Sequence, residues 1–364
     1  MPIRKIFFRI FQVLCGIVVG IILAEGFSRL VSPMGGSEFL FQAPENAPNG
    51  MYVTDKRLLY KPNPGFQAQS RSPGYCVPIR INENSLRGAA VGEKKKKRWL
   101  AVGDSFTFAA QVSEEDSFLG LLNQSEEREF LNAGADGYGT WQAQLRYKEL
   151  DKELDLDGLL VVFFIGNDFH DNQHFQNAKR KASARPSGQP ILAKSKHPVL
   201  SFLSRRSHLY AHWKIYQRAK LFSQQSPEQA RWYSELMLFT EREMSVDMMQ
   251  TTEKVLRDTQ WYVDNNLMVA IAAPYFVVEQ DRSDAAFSLV GLDPQLVKPD
   301  MPTKALIEVL ERLGIAYCDL TPDLRSAYQQ GEIPYLAYDG HWSRSGHRIV
   351  AQTLSKCFAD VDRR

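Results

Sequence analysis

The chain has 364 residues, 44% of them hydrophobic and 24% charged, with a formal net charge of +2. So ordinary a balance suits a globular chain long enough for one large domain or two small ones, and so small a charge points to no particular partner; no nucleic-acid partner is expected. Four cysteines, Cys15, Cys76, Cys318 and Cys357, exclude a disulfide-stapled scaffold. Cys318 and Cys357 could pair in an oxidising compartment, although free buried thiols are the favoured reading.

Residues 1–33 read as a membrane anchor or signal segment. Arg4, Lys5 and Arg9 lie at the start of an apolar run that reaches Phe27 and is about as long as a bilayer is thick. No small-x-small cleavage site follows the run, which favours an uncleaved anchor over a cleaved signal peptide. The basic residues lie on its N-terminal side, so the remainder is expected on the exported, periplasmic or extracellular, side. Residues 34–95 are rich in Gly, Pro and Asn, with a strand expected over 76–82, and read as a small β-rich extension. The rest, 96–364, alternates strands with helices. Strands are expected at 99–102, 130–132, 159–165, 267–272 and 315–318, and helices at 117–123, 142–151, 244–265, 303–313 and 344–358. That alternation predicts an α/β domain with a parallel sheet covered on both faces.

Within it, residues 172–227 stand apart as a basic insertion, with eleven Lys and Arg and no Asp or Glu. A solvated loop is one reading; contact with an anionic substrate or with anionic lipid beside the anchor is the other. His170 and His174, like His208 and His212, have the four-residue spacing of helical metal ligands. Neither pair has the glutamate of a metalloprotease helix, so no metal and no cofactor are expected.

Four short blocks carry the chemistry. Leu100 to Thr107 reads Leu-Ala-Val-Gly-Asp-Ser-Phe-Thr, a strand that ends in a serine. On its own, that serine is most simply a helix cap. Asn132 to Thr140 is glycine-rich; Val161 to Asp168 is a buried strand ending in Gly-Asn-Asp; Asp339-Gly340-His341-Trp342 and then Gly346-His347 follow near the end. Together the blocks resemble the SGNH hydrolases, also called the GDSL esterase family, which carry Ser, Gly, Asn and His in this order. There is a further likeness to membrane-associated polysaccharide acetyltransferases. The resemblance implies a three-layer α/β/α, flavodoxin-like fold.

It also implies roles. Ser105 is the candidate nucleophile and His341 the base that takes its proton, since imidazole titrates near neutrality. Asp339, two residues before His341, is the candidate orienting acid. The family's block is often Asp-x-x-His; here it is Asp-x-His. The oxyanion donors implied are the backbone N–H groups of Ser105 and Gly137 and the side-chain amide of Asn167. His347 is assigned to packing or capping. Trp342 reads either as pocket wall or as core.

The function expected is a membrane-anchored, exported serine esterase acting on acyl esters, O-acetyl groups foremost, with cell-surface carbohydrate as one acyl carrier. Two alternatives stand beside it: an O-acetyltransferase using the same triad, and a non-catalytic binding or assembly component. Oligomeric state is left open by the sequence.

Overall fold

The computed structural model describes residues 2–31, 41–42, 51–72, 75–125, 128–183, 207, 209–210, 213, 238–240, 246–288, 294–337 and 339–363. Most of the basic insertion, His208 and His212 with it, lies outside them.

The first helix, α1 (Pro2–Val31), carries apolar residues all round, and none of its described side chains is buried. Its segment Ile6–Leu30, with mean hydropathy 2.5, is long and apolar enough to cross a membrane. Strands β1 (Phe41–Gln42), β4 (Gln67–Ser72) and β5 (Tyr75–Arg80) form one small antiparallel sheet. β2 (Tyr52–Asp55) and β3 (Leu59–Pro62) form a hairpin in which Thr54 faces Tyr60. Met51, Phe66, Ala68, Ile79 and Ile81 bury together with Phe108, a residue of the main domain. The extension is therefore seated directly on the segment that carries Ser105.

Five parallel strands make the main sheet: β6 (Lys97–Gly103), β7 (Arg128–Asn132), β8 (Gly158–Phe164), β9 (Leu267–Ala272) and β10 (Ala316–Asp319). β8 and β9 are buried along nearly their whole length, which is why they read as unbroken apolar runs rather than as alternating ones. Neighbours in the sheet run β10-β9-β8-β6-β7. Counted in chain order that is 2-1-3-4-5 from the β7 edge, the doubly wound order of flavodoxin-like folds. The chain steps one way from β6 to β7 and the other way thereafter. With right-handed crossovers, the β6–β7 connection must then lie on one face and the later connections on the other. The contacts agree. α3 (Phe118–Ser125) packs against β7 and against the last helix, Arg344–Arg363. That helix sends Phe358 onto Trp99 and Phe130. α4 (Thr140–Leu154) and the helix Val246–Tyr262 pack with each other, and α4 lies against β6 and β8. The result is the three-layer arrangement expected.

Two features depart from the expectations. A helix, α5 (Asp168–Ser183), runs straight out of the Gly-Asn-Asp block into the stretch that reads as basic insertion. Its start is core: Phe169, Asp171, Asn172 and Phe175 are buried. And Cys318 and Cys357 are not free thiols but a disulfide, S–S 2.10 Å, that ties β10 to the last helix across 39 residues. A loop of that length constrains the unfolded chain by about 4 kcal/mol in the entropy model. Reductant, or Cys357→Ala, is expected to lower the thermal midpoint clearly. A melting curve unchanged by dithiothreitol would show that the bridge is not formed in solution.

Candidate active site

In a doubly wound sheet the crevice opens where the strand order reverses, outside the carboxyl ends of the first and third strands. Here those strands are β6 and β8, and Ser105 and Asn167 follow directly after them. β7 ends just before the glycine block, so Gly137 comes to the same edge. The loop 335–343 delivers the last block. It is anchored by Tyr335, whose hydroxyl donates to the Ala273 carbonyl at 2.7 Å, just beyond β9.

The backbone around Ser105 explains why its hydroxyl is available. A four-residue helix, α2 (Ser105–Phe108), begins at the serine, but its cap is Asp104, whose carboxylate accepts from Phe106 N at 2.9 Å. With an aspartate capping, the serine side chain has no structural hydrogen bond to make at this turn. Gly103 is required here: a Cβ would stand 2.3 Å from Thr107 Oγ1 and 2.5 Å from the Val162 carbonyl. The segment leaving α2 turns through Ala109 in the left-handed region, φ 58°. Its carbonyls at Phe108, Ala109 and Val112 accept from the guanidinium of Arg87, a buried side chain supplied by the approach to β6.

Ser105, His341 and Asp339 come together in one chain of hydrogen bonds. Ser105 Oγ lies 2.7 Å from His341 Nε2, and His341 Nδ1 bonds the Asp339 carboxylate. The intervening Gly340, φ 81°, lets the backbone turn tightly enough for residues two apart in sequence to pair by their side chains. Asp339 also accepts from Tyr75 Oη at 3.2 Å and from Gln111 Nε2 at 3.3 Å. Its burial would raise its pKa, but the His341 contact and Tyr75 hold it below the ordinary carboxylate value. For His341, burial works to lower the pKa. The hydrogen bond and charge of Asp339, helped by Asp104 and Asp136, outweigh that and carry it above the usual imidazole value. Phe106 supports the ring from below, 4.7 Å from its centroid, and is itself stacked on Phe164 at 4.2 Å.

The other expected residues are placed as follows. Asn167 sits in the turn that starts α5, its N–H donating to the Phe164 carbonyl at 3.2 Å. Its side-chain amide lies beside Asp104 and favours the ionised carboxylate there. Burial pushes Asp104 up all the same, and it pushes Asp168 up too, aided by the charges of Asp104 and Asp171. Asp168 accepts from Phe164 N at 3.1 Å and so braces the end of β8. Gly137 is in the left-handed region, φ 71°, and its N–H makes no hydrogen bond among the described residues. His347 is not part of this group. It is buried in the last helix, Nδ1 accepting from Phe118 N at 3.3 Å, and burial, with Arg87 and His341 nearby, lowers its pKa to about 3. Trp342 is core, with no exposure and its ring edge-on to Phe106 and Phe118. His170 and His174 stack 6.1 Å apart on α5. Among the described residues no cluster of three or more His, Cys, Asp or Glu could hold a metal.

Tyr75, Gln111 and Phe106 are the contributors that sequence reading did not single out. Phe106 carried a signal, its place directly after the nucleophile. Tyr75 and Gln111 carried none, since 264 and 228 residues separate them from Asp339.

Comparison with protein-family models and with curated proteins finds no match. Solved structures do align. An alpha/beta hydrolase enzyme from the metagenome of Lake Arreo, Spain, is 16% identical over 72% of this chain and 94% of its own, TM-score 0.39. A member of the lipolytic protein G-D-S-L family from Veillonella parvula is 13% identical over 72% and 98%, TM-score 0.37. A catalytic mutant of an acetylxylan esterase from Geobacillus stearothermophilus is 13% identical over 74% and 96%, TM-score 0.39. These are loose likenesses, and the chemistry rests on the geometry above.

Proposed function

We propose that the chain is a serine esterase of the SGNH kind, acting on short acyl esters such as O-acetyl groups. The observation that carries this is the continuous hydrogen-bonded chain Ser105–His341–Asp339, with the cap role taken by Asp104. Acyl transfer needs a nucleophile, a base within hydrogen-bond reach of it, and a group that fixes the base's tautomer. In the proposed reaction His341 Nε2 takes the proton as Ser105 Oγ attacks the ester carbonyl. The tetrahedral oxyanion is received by the N–H groups of Ser105 and Gly137 and the amide of Asn167. His341 then returns the proton to the leaving alcohol, and a water repeats the cycle on the acyl-enzyme. Asp339 stabilises the imidazolium formed in each half-reaction and keeps Nδ1 protonated throughout.

Hydrolysis and transfer share every one of these steps up to the acyl-enzyme and differ in the acceptor. Release of nitrophenol from acetyl and longer acyl esters tests the first half. Adding a carbohydrate acceptor and following acetylated product against free acetate tests the second. Fast nitrophenol release with all acyl groups recovered as acid would support the esterase; acylated carbohydrate as the main product would make the chain a transferase.

The proposed setting is an anchored, exported domain. None of the described side chains of α1 is buried in the protein, and the Cys318–Cys357 bridge suits an oxidising compartment. Arg4, Lys5 and Arg9 at its start support a cytoplasmic N-terminus. A periplasmic-type reporter fused after residue 364 is therefore expected to be active. A fluorescent cytoplasm-only reporter at the same point would reverse the topology.

A further inference from the structure

We propose that Tyr60, on the extension's hairpin, is a positioning residue for the oxyanion amide of Gly137. This rests on the esterase reading above. The peptide between Asp136 and Gly137 has two polar ends. Its N–H, on Gly137, is the one left without a partner among the described residues. Its carbonyl, on Asp136, accepts a hydrogen bond from Tyr60 Oη. Because the peptide unit is planar and stiff, fixing the carbonyl fixes the direction of the N–H. A donor on the carbonyl also polarises the amide and makes its N–H a stronger donor.

The neighbouring peptide is held in the same way. Asp136 N–H donates to Tyr52 Oη at 2.9 Å. Two tyrosine hydroxyls from β2 and β3 thus grip the two sides of Asp136, in a loop whose next residue has φ 71° and no side chain to hold it. The grip is itself rigid. The Tyr60 ring lies 5.5 Å from Tyr52 and 5.4 Å from Tyr138. The Tyr60 carbonyl accepts from Tyr138 Oη at 2.6 Å, and Tyr138 is fully buried. Lys61, the next residue of the hairpin, pairs with Glu149 of α4 at 2.9 Å. Gly137 itself approaches Tyr60 so closely that a Cβ would stand 3.1 Å from the hydroxyl. The extension supplies Tyr75 to Asp339 as well, so the same small unit reaches both the acid and the oxyanion side of the site.

The test is Tyr60→Phe, which keeps the ring and removes the hydroxyl. Active sites are counted by titration with a fluorophosphonate, so that any loss of folded protein drops out. Rates are then measured per titrated site for acetyl ester hydrolysis and for phosphonylation of Ser105. The expected result is a fall of about tenfold in both, a fraction of the 10²–10³ that losing an oxyanion donor costs. KM and the acid limb of the pH profile should not move, because ground-state binding and His341 are untouched. A per-site rate equal to wild type would overturn the proposal, whatever the melting temperature does. Failure of the wild type itself to label at Ser105 would instead remove the esterase reading on which the proposal stands.

Discussion

Ser105→Ala is expected to lower kcat for acetyl ester hydrolysis by a factor on the order of 10⁶, the loss typical of removing the nucleophile from such a unit. The fold should survive. Ser105 is only partly buried, the helix it begins is capped by Asp104, and alanine is well tolerated at a first helical position. His341→Ala should be nearly as severe, and the double variant no worse than either alone. The reason is that the hydroxyl at 2.7 Å from Nε2 is a nucleophile only while that nitrogen can take its proton. Losses within one mechanistic unit do not add. His347→Leu is the contrast: its ring packs between Phe118 and Trp342, so the change should act on stability and leave most of the turnover. Steady-state rates of the four proteins, with melting curves beside them, decide the matter. A dead His347→Leu of wild-type stability would show that the wrong histidine has been assigned as base.

Asp339→Asn is expected to lower kcat by about 10⁴, because an amide facing Nδ1 leaves the imidazole free to adopt the wrong tautomer. It should also move the pH profile. The base must be neutral to act, so activity is lost as pH falls through the His341 pKa. In the wild type that pKa is raised, so the acid limb of kcat/KM is expected above the ordinary histidine value of about 6.5. Burial is the largest influence on His341 and acts to lower its pKa; Asp339 opposes it by hydrogen bond and by charge. With that carboxylate neutralised, Asp104 and Asp136 remain as weaker opposition, and the limb of the residual activity should shift to lower pH. An unshifted limb would show that Asp339 does not set the protonation of His341.

Much of this site could be read from sequence because its chemistry sits at strand ends. Apolar runs announce β6, β8 and β9, and the residues just past them are where a doubly wound sheet opens. Strand ends offered Ser105 and Asn167 as candidates, but the serine alone read as a helix cap, and the roles of both came from the resemblance carried by four blocks in order. The alternation of strands and helices likewise implied the parallel sheet, though not its 2-1-3-4-5 order, which depends on which edges pair. Other parts were hidden for physical reasons. Helix α5 has a polar, weakly amphipathic composition, so its sequence resembles a solvated loop; its buried start is imposed by packing against Val246–Tyr262 and α4. The helix Thr321–Gln329 was also missed, lying behind Pro322 close to the end of β10. The Cys318–Cys357 bridge depends on how a strand and a helix 39 residues apart are juxtaposed. Trp342 looked equally suited to a pocket and to the core until Phe106 and Phe118 closed over it. Tyr60 and Tyr75 lie in a stretch whose glycines and prolines speak only of turns, and their meaning appears when the extension folds back on the sheet.

The central claim is that Ser105 is the nucleophile of a working acyl-transfer relay. The most direct measurement is the mass of the proteolytic peptide containing Ser105 after brief exposure of the purified chain to a small fluorophosphonate. The account predicts one phosphonyl adduct, localised to Ser105, forming faster as pH rises through the His341 pKa and absent from His341→Ala. An unmodified Ser105 peptide from folded protein, or equal labelling of Ser105→Ala, would contradict it.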